Sequence, residues 1–178
     1  YHNAKNAETF GIELDMKKSL DFIGLRGLSL VCNAAYIHSR VRFEEGAPER
    51  DRPLAGQSPY LVNAGLFYQH DDKGISASLL YNRIGKRIES VGVPMQNQDE
   101  DIPDIYEMPR NSLDLTFSKK IGKIVEIKAG IQDILNSKVE YKQFVKLTDD
   151  KGGKSEREQL IRSYRPGVDI NIGVSLRF

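Results

Sequence analysis

A single cysteine, Cys32, in 178 residues rules out a disulfide within the chain. It reads as a small apolar side chain rather than a reactive thiol. No apolar run approaches the roughly 18 residues that a membrane-spanning helix needs, so transmembrane helices are excluded. The three histidines, His2, His38 and His70, lie far apart and form no ligand-spaced pair. A glycine-rich phosphate loop, a Ser/His/Asp arrangement and a Cys-x-x-Cys motif are all missing. These absences nominate no catalytic, cofactor-binding or metal-binding residue, and the chain is not expected to be an enzyme. Charge of one sign is also lacking. Twenty-six Lys and Arg against 25 Asp and Glu leave a net charge of +1, too little to argue for a nucleic-acid partner. The mean hydropathy of −0.47 has a soluble look, but a transmembrane β-barrel shares it, because half of each strand faces water.

What is present is alternation. The last twelve residues, from Gly167 to Phe178, place Val168, Ile170, Ile172, Val174 and Leu176 on one side and glycine, polar or charged residues on the other. Successive strand residues point to opposite faces, so this segment has one apolar and one wet face. It stops on an aromatic, Phe178. About 9–11 tilted residues cross the hydrocarbon in outer-membrane barrels, whose interfaces carry aromatic girdles. Six further stretches alternate: 9–19, 27–41, 59–69, 75–88, 110–119 and 125–132. Their wet faces carry Glu13, Asp15, Lys17, Asn63, Ser76, Ser78, Asn82, Asp114, Glu126 and Lys128, joined by Asp169, Asn171 and Arg177 from the last strand. Tyr36, Tyr60, Tyr68 and Tyr81 fall at or near strand ends, where interfacial aromatics belong.

The connections 20–26, 70–74 and 120–124 are short, whereas 42–58, 89–109 and 133–166 are long. Short and long alternate without exception. A β-sandwich and a barrel both fit the strands, but barrels sort their connections by length, with short periplasmic turns and long outer loops. The expected fold is therefore all-β, the carboxyl-terminal seven or so strands of an antiparallel transmembrane β-barrel. Residues 139–145 and 156–164 form a second hairpin inside the longest loop. Pairing about the 120–124 turn puts Thr116 opposite Lys128, with Asp114 one diagonal step away. Seven strands are odd, and bacterial single-chain barrels close with an even number. Residues 1–8 lack alternation and read as the end of a loop. The chain is thus expected to begin inside a larger protein, with strands upstream of Tyr1.

Two clusters of charge remain. Asp99, Glu100, Asp101 and Asp104 offer the oxygen ligands that Ca²⁺ takes, but a solvated loop is the simpler reading. Arg50, Arg52, Lys86 and Arg87, near outer strand ends, are candidates for lipopolysaccharide phosphates, with ordinary surface charge as the commoner explanation.

Residues 52–69, RPLAGQSPYLVNAGLFYQ, resemble the re-entering strand of TonB-dependent outer-membrane receptors of the Bacteroidetes type. The segment from Gly130 to Asn136, GIQDILN, is similar to that family's penultimate strand and corner, and GVSLRF at 173–178 resembles its terminal strand. The resemblance implies a 22-stranded barrel with an amino-terminal plug and TonB box lying upstream, and no plug domain within residues 1–178. It implies residence in the bacterial outer membrane and energised import of a scarce nutrient. Implied partners are outer-membrane lipid and lipopolysaccharide, the upstream strands and plug, the TonB complex, and the barrel assembly machinery at Phe178. No ligand-binding residue is named by it. A passive porin or small closed barrel, and an adhesin barrel or soluble β domain, are the alternatives.

Overall fold

The computed structural model describes residues 3–95, 101–148 and 154–177. Two antiparallel sheets account for the strands: seven strands in one and four in the other. The larger contains β1 (Asn6–Ser19), β2 (Leu28–Arg42), β3 (Tyr60–His70), β4 (Ile75–Ile84), β7 (Arg110–Ile121), β8 (Val125–Gln132) and β11 (Asp169–Leu176). They pair in chain order as an up-and-down meander. The smaller sheet is built from the long connections: β5 (Arg87–Ser90), β6 (Ile105–Glu107), β9 (Val139–Thr148) and β10 (Lys154–Tyr164), in the order β10-β9-β6-β5. Each of the seven expected alternating segments contains a strand of the larger sheet, and the hairpin expected within 139–164 is β9–β10.

Two expectations need correction. The stretch 75–88 is not one strand. It breaks after Ile84, and Arg87 resumes pairing in the other sheet. Gly85, whose N–H still donates to the Tyr60 carbonyl at 3.1 Å, stands at the break in close packing. A Cβ on Gly85 would lie 2.8 Å from the Tyr60 ring and 2.9 Å from Ser58 Oγ, so the chain passes there only as glycine. The β7–β8 register also differs. Ile121 pairs with Val125, leaving only residues 122–124 in the turn, with Gly122 at φ +61°. Every partner moves by two, so Thr116 faces Gly130 and Ser118 faces Lys128. A two-residue shift preserves faces, so Asp114 and Lys128 stay on the same side but are no longer diagonal neighbours. As to the barrel, β1 and β11 each keep a free edge among the described residues, so the larger sheet is an open antiparallel sheet and shows no closed ring.

The sheet has almost no interior. Among the described residues the buried apolar ones are Val41 of β2 and, in the smaller sheet, Ile88 of β5 with Val139 and Tyr141 of β9, at the end where the long connections leave the larger sheet. There the β2–β3 loop folds back. Arg52 exchanges backbone bonds with Val41, Leu54 N–H donates to Ser39 Oγ at 3.1 Å, and Gly56 N–H donates to the Ile88 carbonyl at 2.8 Å. The accessible surface is 12797 Å², against about 8,700 Å² for a compact protein of this mass. The excess is the uncovered area of a one-layer sheet.

Candidate membrane-facing surface and polar wall

The registers join the apolar alternation of each strand into one continuous face. Phe10, Ile12, Leu14 and Met16 of β1 lie opposite His38, Tyr36, Ala34 and Cys32 of β2. The same rows continue through Val62, Ala64 and Leu66 of β3 and Leu79 and Tyr81 of β4. They run on through Leu113, Leu115 and Phe117 of β7 and Ile127, Ala129 and Ile131 of β8, ending on Ile170, Ile172 and Val174 of β11. At both open edges this face is bare, with Ile12 and Ile172 each 77% exposed. Cys32 belongs to it, between Met16 and Ala64, which fits a small apolar filler.

Aromatics mark the ends of the band. Tyr36 pairs with Tyr60 at the end that carries the long connections, and Tyr68 lies by the short turns. Tyr81 sits one row in from Arg83 and donates its hydroxyl to Asn111 Oδ1 at 2.8 Å. His38 stacks on Phe10 with ring centroids 5.0 Å apart. His70 accepts a bond from Lys73 N–H in the β3–β4 turn, and His2 lies outside the described residues.

The opposite face is polar and cross-linked. Asn33 Nδ2 donates to Glu13 Oε1 at 2.8 Å and to Asp15 Oδ1 at 2.6 Å. Asn63 Nδ2 donates to Asn33 Oδ1 at 3.3 Å, and Asn82 Nδ2 to Asn63 Oδ1 at 2.6 Å. This amide ladder crosses four strands in one row. Ser76 bonds Ser118 at 2.7 Å and Ser78 bonds Thr116 at 2.6 Å. Lys128 and Arg177 both approach Glu126, at 3.4 and 3.9 Å. Asp169 and Asn171 share the face on β11 across from Gln132 and Gly130, and Lys17 lies beside Val31. Sequence reasoning overlooked Asn33, because its own strand alternates poorly. It also overlooked an apolar island on this wet side, where Phe67 and Leu80 crowd over Gly65.

The corner after β8 is tightly held. Asp133 and Asn136 take left-handed backbone, at φ 52° and 43°. Asp133 N–H donates to Asp114 Oδ1 at 2.8 Å, and Arg110 Nη2 lies 2.5 Å from Asp133 Oδ2. Asn136 Oδ1 accepts Gly167 N–H at 3.1 Å, just before β11 begins. Asp114 thus serves this corner and not Lys128.

The four basic residues nominated for phosphate are all engaged within the chain. Arg50 is ion-paired with Asp101, and Arg87 forks onto Glu107 Oε2 at 2.9 and 2.7 Å. Arg52 lies over the Phe43 ring, and Lys86 lies over two rings. The acidic cluster is likewise committed to structure. Asp101 accepts Met95 N–H and Asp104 accepts Gly92 N–H, at 2.8 and 2.7 Å. Asp99 and Glu100 fall outside the described residues. Among the described residues no group of three or more His, Cys, Asp or Glu side chains is placed to hold a metal. Comparison of this chain with family models, curated proteins and solved structures finds no match.

Proposed function

We propose that this chain is wall and outer loops of a bacterial outer-membrane β-barrel, of the TonB-dependent transporter type, that imports a scarce nutrient. The observation that supports this most is the continuous apolar face running over all seven strands, opposite a hydrogen-bonded polar face. In water such a surface is a liability, since exposed apolar patches of more than a few hundred Å² mark contacts with lipid or protein. Its height fits a membrane. From Leu28 to Tyr36 the chain runs about 27 Å at ~3.4 Å per residue, and a tilt of about 40° reduces this to about 21 Å. The lipid-facing band of an outer-membrane barrel is about 25 Å tall. On this reading the short turns are periplasmic, the smaller sheet stands outside, and the amide ladder faces the lumen. Further strands pair with β1 and β11 to close the ring, because unsatisfied backbone groups in lipid cost several kcal/mol each.

Two measurements test the reading on the complete protein. Single cysteines at Ile12 and Ile172, in a Cys32→Ala background, should react with lipid-soluble maleimides in membranes. Cysteines at Glu13 and Asn171 should react with water-soluble ones. A reversed or mixed pattern rejects the membrane face. Uptake should then depend on the TonB complex; uptake that persists without it makes the protein a passive porin.

A further inference from the structure

The smaller sheet carries an aromatic site with no part in the wall. Tyr106 of β6 and Phe144 of β9 stand edge to face, with centroids 5.7 Å apart and planes at 70°. Lys86, in the break between β4 and β5, places its ammonium 4.1 Å from the Tyr106 centroid and 3.9 Å from that of Phe144. Both distances lie well inside the ~6 Å range of cation–π attraction. Among the described residues Lys86 takes no carboxylate partner. By contrast, the neighbouring Lys142 is ion-paired to Glu158 at 2.6 Å and Glu140 at 3.4 Å. The Lys86 charge is therefore held by ring faces. Nearby charge reinforces the preference for a cation. The Tyr106 hydroxyl donates to Asp104 Oδ2 at 3.4 Å, and burial, then that carboxylate, then more distant Glu156 raise the phenol's pKa.

We propose that the Tyr106–Phe144 pair is a recognition site for alkylammonium groups, and that Lys86 is a tethered occupant which an incoming ligand displaces. The chemistry follows from the rings. A π face recognises charge and bulk but makes no directional hydrogen bond, so a primary ammonium can be exchanged for a methylated one. Displacement is feasible because Lys86 is on a flexible stem and regains hydration when it leaves. The site stands on ring geometry within the smaller sheet and does not depend on the larger sheet lying in a membrane.

The test uses tetramethylammonium on the complete folded protein. In the wild type, Lys86 is displaced and becomes exposed, so its acetylation by an amine-reactive ester, read by mass spectrometry, should accelerate as tetramethylammonium is added. Equimolar sodium should leave the rate unchanged. Lys86→Ala vacates the rings, and the methyl protons of tetramethylammonium should then show about tenfold tighter binding by saturation-transfer NMR, about 1.4 kcal/mol. Adding Phe144→Leu should abolish it. An acetylation rate that does not respond overturns the proposal whether or not the variants fold. Binding to Lys86→Ala no tighter than to wild type, or surviving Phe144→Leu, also overturns it.

Discussion

At the scale of single residues, neighbours in the chain have opposite roles. Ile172 is bare on the apolar face, while the Asn171 amide folds over Gly130 on the polar one. Arginine at a lipid-facing midplane costs about 2–4 kcal/mol. Folding of the complete protein into bilayers should therefore show that loss for Ile172→Arg and much less for Asn171→Arg. Equal losses would mean that the face is misassigned. Asn63 is the middle of the amide ladder, accepting from Asn82 and donating to Asn33. Its replacement by alanine removes both bonds and leaves polar groups on two strands without partners. A typical net hydrogen bond contributes about 1 kcal/mol, so a destabilisation of about 1–2 kcal/mol is expected in denaturant titrations. Asn82→Ala, which removes one bond, should cost less.

At the scale of elements, two connections are open to test. The β7–β8 register places Ser118 directly across from Lys128. Opposed Cα atoms in an antiparallel pair are about 4.5–5.5 Å apart, within disulfide range, whereas a partner two residues away is near its limit. With Cys32 replaced by alanine, Ser118→Cys/Lys128→Cys should cross-link under mild oxidation and Thr116→Cys/Lys128→Cys should not. The reverse result would restore the longer turn. The β2–β3 loop is held by Asp51, whose carboxylate accepts Phe43 N–H at 3.2 Å and pairs with Arg40 at 2.9 Å. The Phe43 bond first, then Arg40, hold the Asp51 carboxyl below the usual carboxylate range. A depressed carboxyl stabilises the fold above its unfolded pKa of about 3.9, and this is lost as pH falls through the folded value. Amide protection at Phe43 and Leu54, corrected for intrinsic exchange, should hold from pH 7 to 5 and decline below about pH 4. Decline already at pH 5–6 would exclude Asp51 as the cause.

At the scale of the whole molecule, the dominant fact among the described residues is a sheet with two bare edges and an uncovered apolar face. Unsatisfied backbone groups along β1 and β11 would cost tens of kcal/mol in lipid, at several kcal/mol each. Residues 1–178 expressed alone should therefore not yield a heat-resistant monomer in detergent, but associate through their edges or fail to fold. Electrophoresis with and without boiling, together with light scattering, distinguishes the outcomes. A stable folded monomer would replace the larger-barrel reading with a small closed barrel.

The alternation of side chains was enough to assign strands and faces, because a period of two follows from backbone geometry and needs no partner. Every residue from Phe10 to Met16 and from Ile170 to Leu176 kept the face that its parity predicted. The alternation of short and long connections pointed to an antiparallel barrel, of which the structure shows the antiparallel sheet but not the closure. What alternation leaves open is registry. Sliding a strand by two residues preserves both faces, so the β7–β8 pairing was decided by how tightly the chain turns at Gly122. Strands β5 and β6, Arg87–Ser90 and Ile105–Glu107, are too short to show periodicity. They exist because β9 supplies a partner far away in sequence, which pairs Tyr106 with Lys142. The fate of the basic residues was decided the same way. Arg50, Arg52, Lys86 and Arg87 looked alike as charges, but long-range packing gave each a different contact: a carboxylate, a ring, two rings and a carboxylate. Local pattern determines which way a side chain points; only the folded chain determines what it meets.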